Sequence, residues 1–129
     1  NLINGIIEQF KEYNYEIIIV DDGSTDNTVE NIFLEFKNNK NINVIQRELD
    51  RGLLQSIKFA LQSITGEKFV VMDGDGQHSP KDIMPLIKEL DHYDLSIGSR
   101  ELQNMTSMSS GRVFLSKFGN FFNVFIFVS

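Results

Sequence analysis

The sequence contains no cysteine and no tryptophan in 129 residues. Without cysteine there is no disulfide scaffold and no thiolate metal site, although the compartment stays open. No apolar run approaches the roughly 18–20 residues that span a bilayer. The longest one, at 121–128, is interrupted by Asn123. The N-terminus lacks a basic segment and a cleavage motif, so no signal peptide is expected. Internal repeats and low-complexity linkers are missing too. So is a Gly-rich Walker loop, which excludes a P-loop nucleotide site. Positive charge is scarce, with 12 Lys and Arg against 18 Asp and Glu. The net charge of −6 argues against a general nucleic-acid binder.

What remains is ordinary globular composition, 41% apolar and 23% charged, which rules out disorder and collagen-like structure. The length fits one domain of average size. Charge is split along it. Residues 1–98 hold 9 basic and 17 acidic side chains, net −8, whereas 99–129 hold Arg100, Arg112 and Lys117 against Glu101, net +2. That second part also carries six of the eleven phenylalanines. Helical periodicity starts at Leu2 and an apolar run reaches the last residues, so the chain reads as a piece truncated at both ends.

The spacing predicts a helix over 2–13 and a short, wholly apolar strand at 16–20, of the kind covered on both faces. A helix follows with Val29, Ile32, Phe33 and Phe36 on one side, then a strand at 43–46. The next helix begins after Gly52, with Leu53, Leu54, Ile57, Leu61 and Ile64 expected on its buried face. A strand at 69–72 leads into a polar turn. Ser79 and Pro80 then make a good helix start, with a hydroxyl cap and proline at the first position. A fourth strand is expected at 95–98, a polar loop at 101–110, and a last helix from Gly111. Helices alternating with short apolar strands predict a mostly parallel α/β sheet. The polar clusters at 21–27, 47–51, 73–78 and 99–101 all follow strands, and ligands of such sheets sit outside the strands' carboxyl ends.

Asp73 and Asp75 are the sharpest feature. Two carboxylates one residue apart at a strand end, with the Gln77 amide beyond, match the oxygen donors that hard divalent ions take alongside phosphates. The bland alternative is a polar turn, which Asp and Gly favour for local reasons. His78 is a further candidate ligand, more readily read as a hydrogen-bonding neighbour. Asp21 and Asp22 end another strand on the same edge. They can accept from a base or ribose, or they can build the turn before the next helix. Four carboxylates converging on one edge repel unless a cation or ligand donors compensate, and a metal-bound nucleotide diphosphate supplies both. Arg100, and less strongly Arg51, suit phosphate recognition. Phe114, Phe118, Phe121, Phe122 and Phe125 repeat at helical spacing. They fit either an amphipathic helix on a membrane surface or a core helix.

Taken together, EIIIVDDGSTDNT at 16–28, MDGDGQHSP at 72–80 and IGSR at 97–100 resemble the family 2 glycosyltransferases of GT-A fold. The nearest branch is the dolichol-phosphate mannosyltransferase and glucosyltransferase group. The resemblance implies a Rossmann-like nucleotide-sugar-binding fold and a Mg²⁺ or Mn²⁺ ion. It implies inverting transfer of a hexose from a GDP-mannose or UDP-glucose type donor to a polyprenyl or dolichyl phosphate. Residues 1–110 become a partial nucleotide-sugar and metal-binding domain, and 111–129 the start of a Phe-rich amphipathic interface helix. Asp21, Asp22, Asp73 and Arg51 fall at nucleotide-sugar-binding positions. Asp73, Asp75 and Gln77 fall at metal positions, and Asp75, Arg100 and Arg112 at catalytic ones. The expected location is the cytoplasmic face of a membrane, with no nucleic acid as partner.

The acceptor phosphate is already anionic at neutral pH, so no general base is required. Where the family pattern reads Gly-Leu-Gly-x-Ala, this chain has Gly52, Leu53, Leu54, Gln55 and Ser56. The family's central first strand is expected to precede Asn1, so the 129 residues alone are expected to show little activity. Two rivals stand beside this reading. One keeps the fold but transfers to a saccharide hydroxyl. The other, a phospho-acceptor receiver domain, shares acids at two strand ends but leaves Asp75 without a purpose and lacks a strand-end lysine.

Overall fold

Ile17, Ile18, Ile19 and Val20 are all buried in β1 (Tyr15–Asp21), because helices cover both faces of the sheet to which it belongs. The structure is a computed structural model that describes residues 2–49, 51–98 and 122–128. β2 (Ile42–Gln46) lies parallel to β1, with Ile17 opposite Ile42 and Asp21 opposite Gln46. β3 (Lys68–Asp73) runs in the same direction but does not touch β1. Between them sits β4 (Phe122–Val128), antiparallel to both, giving the order β2-β1-β4-β3. Three of these four strands point one way, so the α/β, mostly parallel reading holds.

Side chains alternate across β1 and sort the helices into two layers. Ile17 and Ile19 meet Ile3, Ile6 and Phe10 of α1 (Leu2–Phe10), Phe36 of α2 (Thr28–Phe36), and Ile83 and Ile87 of α4 (Ile83–Glu89). Ile18 and Val20 meet Ala60 of α3 (Leu53–Leu61) on the opposite face. Each wholly buried isoleucine contributes about 1.5–3 kcal/mol through burial. The 3₁₀ turn Pro80–Asp82 leads into α4, and Ser79 accepts a hydrogen bond from the Lys81 N–H at 3.3 Å, as its sequence predicts. Lys68 at the start of β3 pairs with Asp91 after α4. That hydrogen bond, with the lysine's charge behind it, holds the Asp91 carboxyl below its ordinary range.

Three expectations change. The segment 122–128, expected within a helix, is a strand, and it fills the space between β1 and β3. Residues 95–98, expected as a fourth strand, carry no sheet pairing. The expected buried face of α3 holds only in part: Ile57 and Ile64 pack against the core, but its leucines do not. Leu53, Leu54 and Leu61 are exposed, while the small residues Ser56 and Ala60 face the sheet and let the helix approach closely. Phe33 on α2 is likewise exposed. The expected helix from Gly111 otherwise lies outside the described residues, as do Arg100, Arg112 and the 101–110 loop.

Candidate functional site

The carboxyl edge of the sheet is where β1 and β3 release their acidic residues. Asp21 pairs with Phe122 and Asp73 with Asn123, so the first residues of β4 separate the two acids. Two strand spacings put Asp21 and Asp73 roughly 10 Å apart along the sheet.

The turn after β1 is organised from within. Asp21 is fully buried, and its carboxylate accepts from the Gly23 N–H at 3.1 Å, the Ser24 N–H at 3.0 Å and the Ser24 hydroxyl. The sequence leaves this carboxylate as a ligand acceptor or a builder of the turn before the next helix, and here it holds the loop that follows its own strand, because a buried carboxylate takes the nearest backbone donors. Gly23 adopts a φ of +96°, open to glycine and strained for other residues. A Cβ there would stand 2.5 Å from the guanidinium carbon of Arg51. Arg51 therefore lies flat against this turn with its side chain exposed.

Asp22 turns to the 47–56 segment. Its Oδ2 accepts from the Gly52 N–H at 2.7 Å and the Ser56 hydroxyl at 2.8 Å. Arg47 Nη1 lies 3.3 Å from Asp22 Oδ1, with only 8% and 1% of the two side chains exposed. The same guanidinium donates to Ser56 Oγ at 3.0 Å and to the Leu49 carbonyl at 3.4 Å, and it packs 5.8 Å from the Phe59 ring centre. Two charges taken from water are tolerable only when paired and hydrogen-bonded in this way. Nothing local in the sequence marks Arg47. It is one arginine after one strand, and its partners stand 25 and 9 positions away.

The second acidic turn is open to solvent. Asp73 and Asp75 are exposed at the end of β3, and Asp75 Oδ1 accepts from the Gln77 N–H at 2.9 Å. His78 Nε2 is 3.7 Å from Asp73, a neighbour beyond hydrogen-bond reach. Gly5 of α1 abuts Pro80 so closely that a Cβ would stand 2.9 Å from its ring, which anchors the far end of the turn. A cavity of about 560 Å³ lies beside this contact, bordered by Leu2, Gln9, Gln77, His78 and Lys81. Among the described residues no three His, Cys, Asp or Glu side chains converge as a ready metal cage. The carboxylates of Asp73 and Asp75 and the amide oxygen of Gln77 fit a hard ion that completes its shell with phosphate and water. The structure thus brings Asp21, Asp22 and Arg51 together in one cluster and Asp73, Asp75 and Gln77 in another, on one edge.

A sheet with two acidic turns at its carboxyl edge fits the nucleotide-binding α/β class. The sequence profile of glycosyl transferase family 2 matches residues 1–125, and the chain belongs to that family. It is 37% identical over 100 residues to a dolichol-phosphate mannosyltransferase of Pyrococcus furiosus, across 77% of this chain and 28% of that protein. A dolichol-phosphate mannosyltransferase of Saccharomyces cerevisiae is 32% identical over 85 residues, 66% of this chain and 32% of its own length. A dolichyl-phosphate beta-glucosyltransferase of Trichomonas vaginalis is 29% identical over 122 residues, 90% of this chain and 38% of its own length. The chain spans about a third of the length of these relatives. No helix among the described residues is long and apolar enough to cross a membrane.

Proposed function

We propose that the chain carries the nucleotide-sugar and metal-binding part of a glycosyltransferase that moves a hexose, with inversion, from a nucleotide-diphosphate sugar to a polyprenyl or dolichyl phosphate at a membrane surface. One observation carries this reading: two acidic turns, one organised from within and one solvent-open, share the carboxyl edge of a single sheet. Family membership and the names of the relatives support the donor and acceptor classes.

Asp21 holds the first turn in shape, and Asp22 is the acceptor for a ribose or base donor. Arg51, lying on Gly23, offers its guanidinium to the diphosphate. Asp73, Asp75 and Gln77 would hold Mg²⁺ or Mn²⁺, which when bound would supply positive charge against the leaving diphosphate. Arg100 and Arg112, outside the described residues, are assigned to the acceptor phosphate. That phosphate attacks as the anion it already is, so the chain needs no residue to remove a proton.

The test is isothermal calorimetry on the full-length protein with GDP-mannose and UDP-glucose, with and without Mg²⁺. Asp75→Ala is expected to abolish the metal-dependent part of donor binding. Unchanged affinity in that variant would sink the metal-site assignment. Transfer to soluble saccharides but not to polyprenyl phosphate would replace the acceptor.

A further inference from the structure

Ser56 is fully buried and stands where the family pattern carries alanine. Its hydroxyl is the joint of the buried charge pair. It donates to Asp22 Oδ2 at 2.8 Å and accepts from Arg47 Nη1 at 3.0 Å. The two ions themselves approach to 3.3 Å through Asp22 Oδ1. That oxygen is the one buried side-chain polar atom without a hydrogen-bond partner among the described residues. Arginine and carboxylate normally close a two-point fork that uses both oxygens. Here Ser56 and the Gly52 N–H occupy Oδ2, so the fork does not form and Oδ1 keeps its lone pairs. A buried acceptor left in this state calls for an explanation.

We infer that Ser56 is a positioning residue for the nucleotide: it keeps Asp22 and Arg47 bridged rather than forked, and so leaves Asp22 Oδ1 able to accept from a ribose hydroxyl or a base N–H. The inference rests on the proposed nucleotide-sugar reading. A ligand donor reaches Oδ1 when Arg47 gives way, and a pair held by one hydroxyl bridge and one 3.3 Å approach gives way more readily than a two-point fork. With alanine at 56 the guanidinium closes onto both carboxylate oxygens and caps the atom that the ligand needs. Alanine is smaller than serine and the better helix former, so α3 survives the change.

The experiment is calorimetric titration of GDP and of UDP, each with Mg²⁺, into the full-length wild type, Ser56→Ala, Arg47→Lys and the double variant. Ser56→Ala is expected to raise Kd about tenfold, the scale of one lost hydrogen bond to a charged group. On Arg47→Lys, whose ammonium cannot fork, the same change is expected to move Kd less than twofold. A Ser56→Ala Kd within twofold of wild type overturns the inference, even where its melting temperature falls, because that pattern marks a purely structural hydroxyl. An equal tenfold loss on the Arg47→Lys background also overturns it. Absence of binding of both diphosphates by the wild type overturns the nucleotide reading itself, and this inference with it.

Discussion

At the scale of single residues, the first turn depends on a glycine and an arginine touching. Gly23 combines a φ of +96° with a guanidinium pressed against its α-carbon, so any side chain there meets two obstacles. Gly23→Ala is expected to cost about 1–2 kcal/mol in backbone strain. It also pushes Arg51 off the turn. Urea denaturation checks the first effect, and diphosphate titration checks the second as a several-fold weaker Kd. Residue chemistry was legible from sequence where it is local. Asp73, Asp75 and Gln77 lie within five positions, and the Ser79 cap needs only its own helix. Asp22, Arg47 and Ser56 are another matter, because their hydrogen bonds connect three elements. Composition and spacing hold no trace of which acid turns inward.

At the scale of elements, β4 carries much of the sheet. Ile126 is fully buried, opposite Ile17 on one side and Val70 on the other. Ile126→Ala is expected to cost about 2–5 kcal/mol, the range for emptying a buried aliphatic site, read from the shift in urea midpoint. A change below about 1 kcal/mol would mean the strand is dispensable. The sequence favoured a helix here because phenylalanines recur at helical spacing, yet six apolar residues broken by one asparagine fit either periodicity. Tertiary context decided the matter: β1 and β3 each present an edge, and a strand between them satisfies both. The same lesson comes from α3. Its leucine stripe marked a helix correctly and its buried side wrongly, since Ser56 and Ala60 win the sheet face by being small. By contrast Ile17 to Val20 could be read directly, for an unbroken β-branched run has few other uses.

At the scale of the whole molecule, β1 and β3 share no hydrogen bond, so the sheet is one body only through β4. Ending the chain after Gly98 is expected to abolish cooperative unfolding, seen as a broad, shallow urea transition by circular dichroism. A sharp transition in that shortened chain would show that 2–98 fold unaided. The arrangement also sets a clock. Tyr15 pairs with Val128, so an early strand waits for one made more than a hundred residues later. At ordinary rates of synthesis, roughly 5–20 residues per second, that delay is about 5–20 s. Throughout it the isoleucine-rich edge of β1 has no partner, which is the condition that invites pairing between nascent chains. The strand that joins β1 to β3 is therefore also the one that covers this edge.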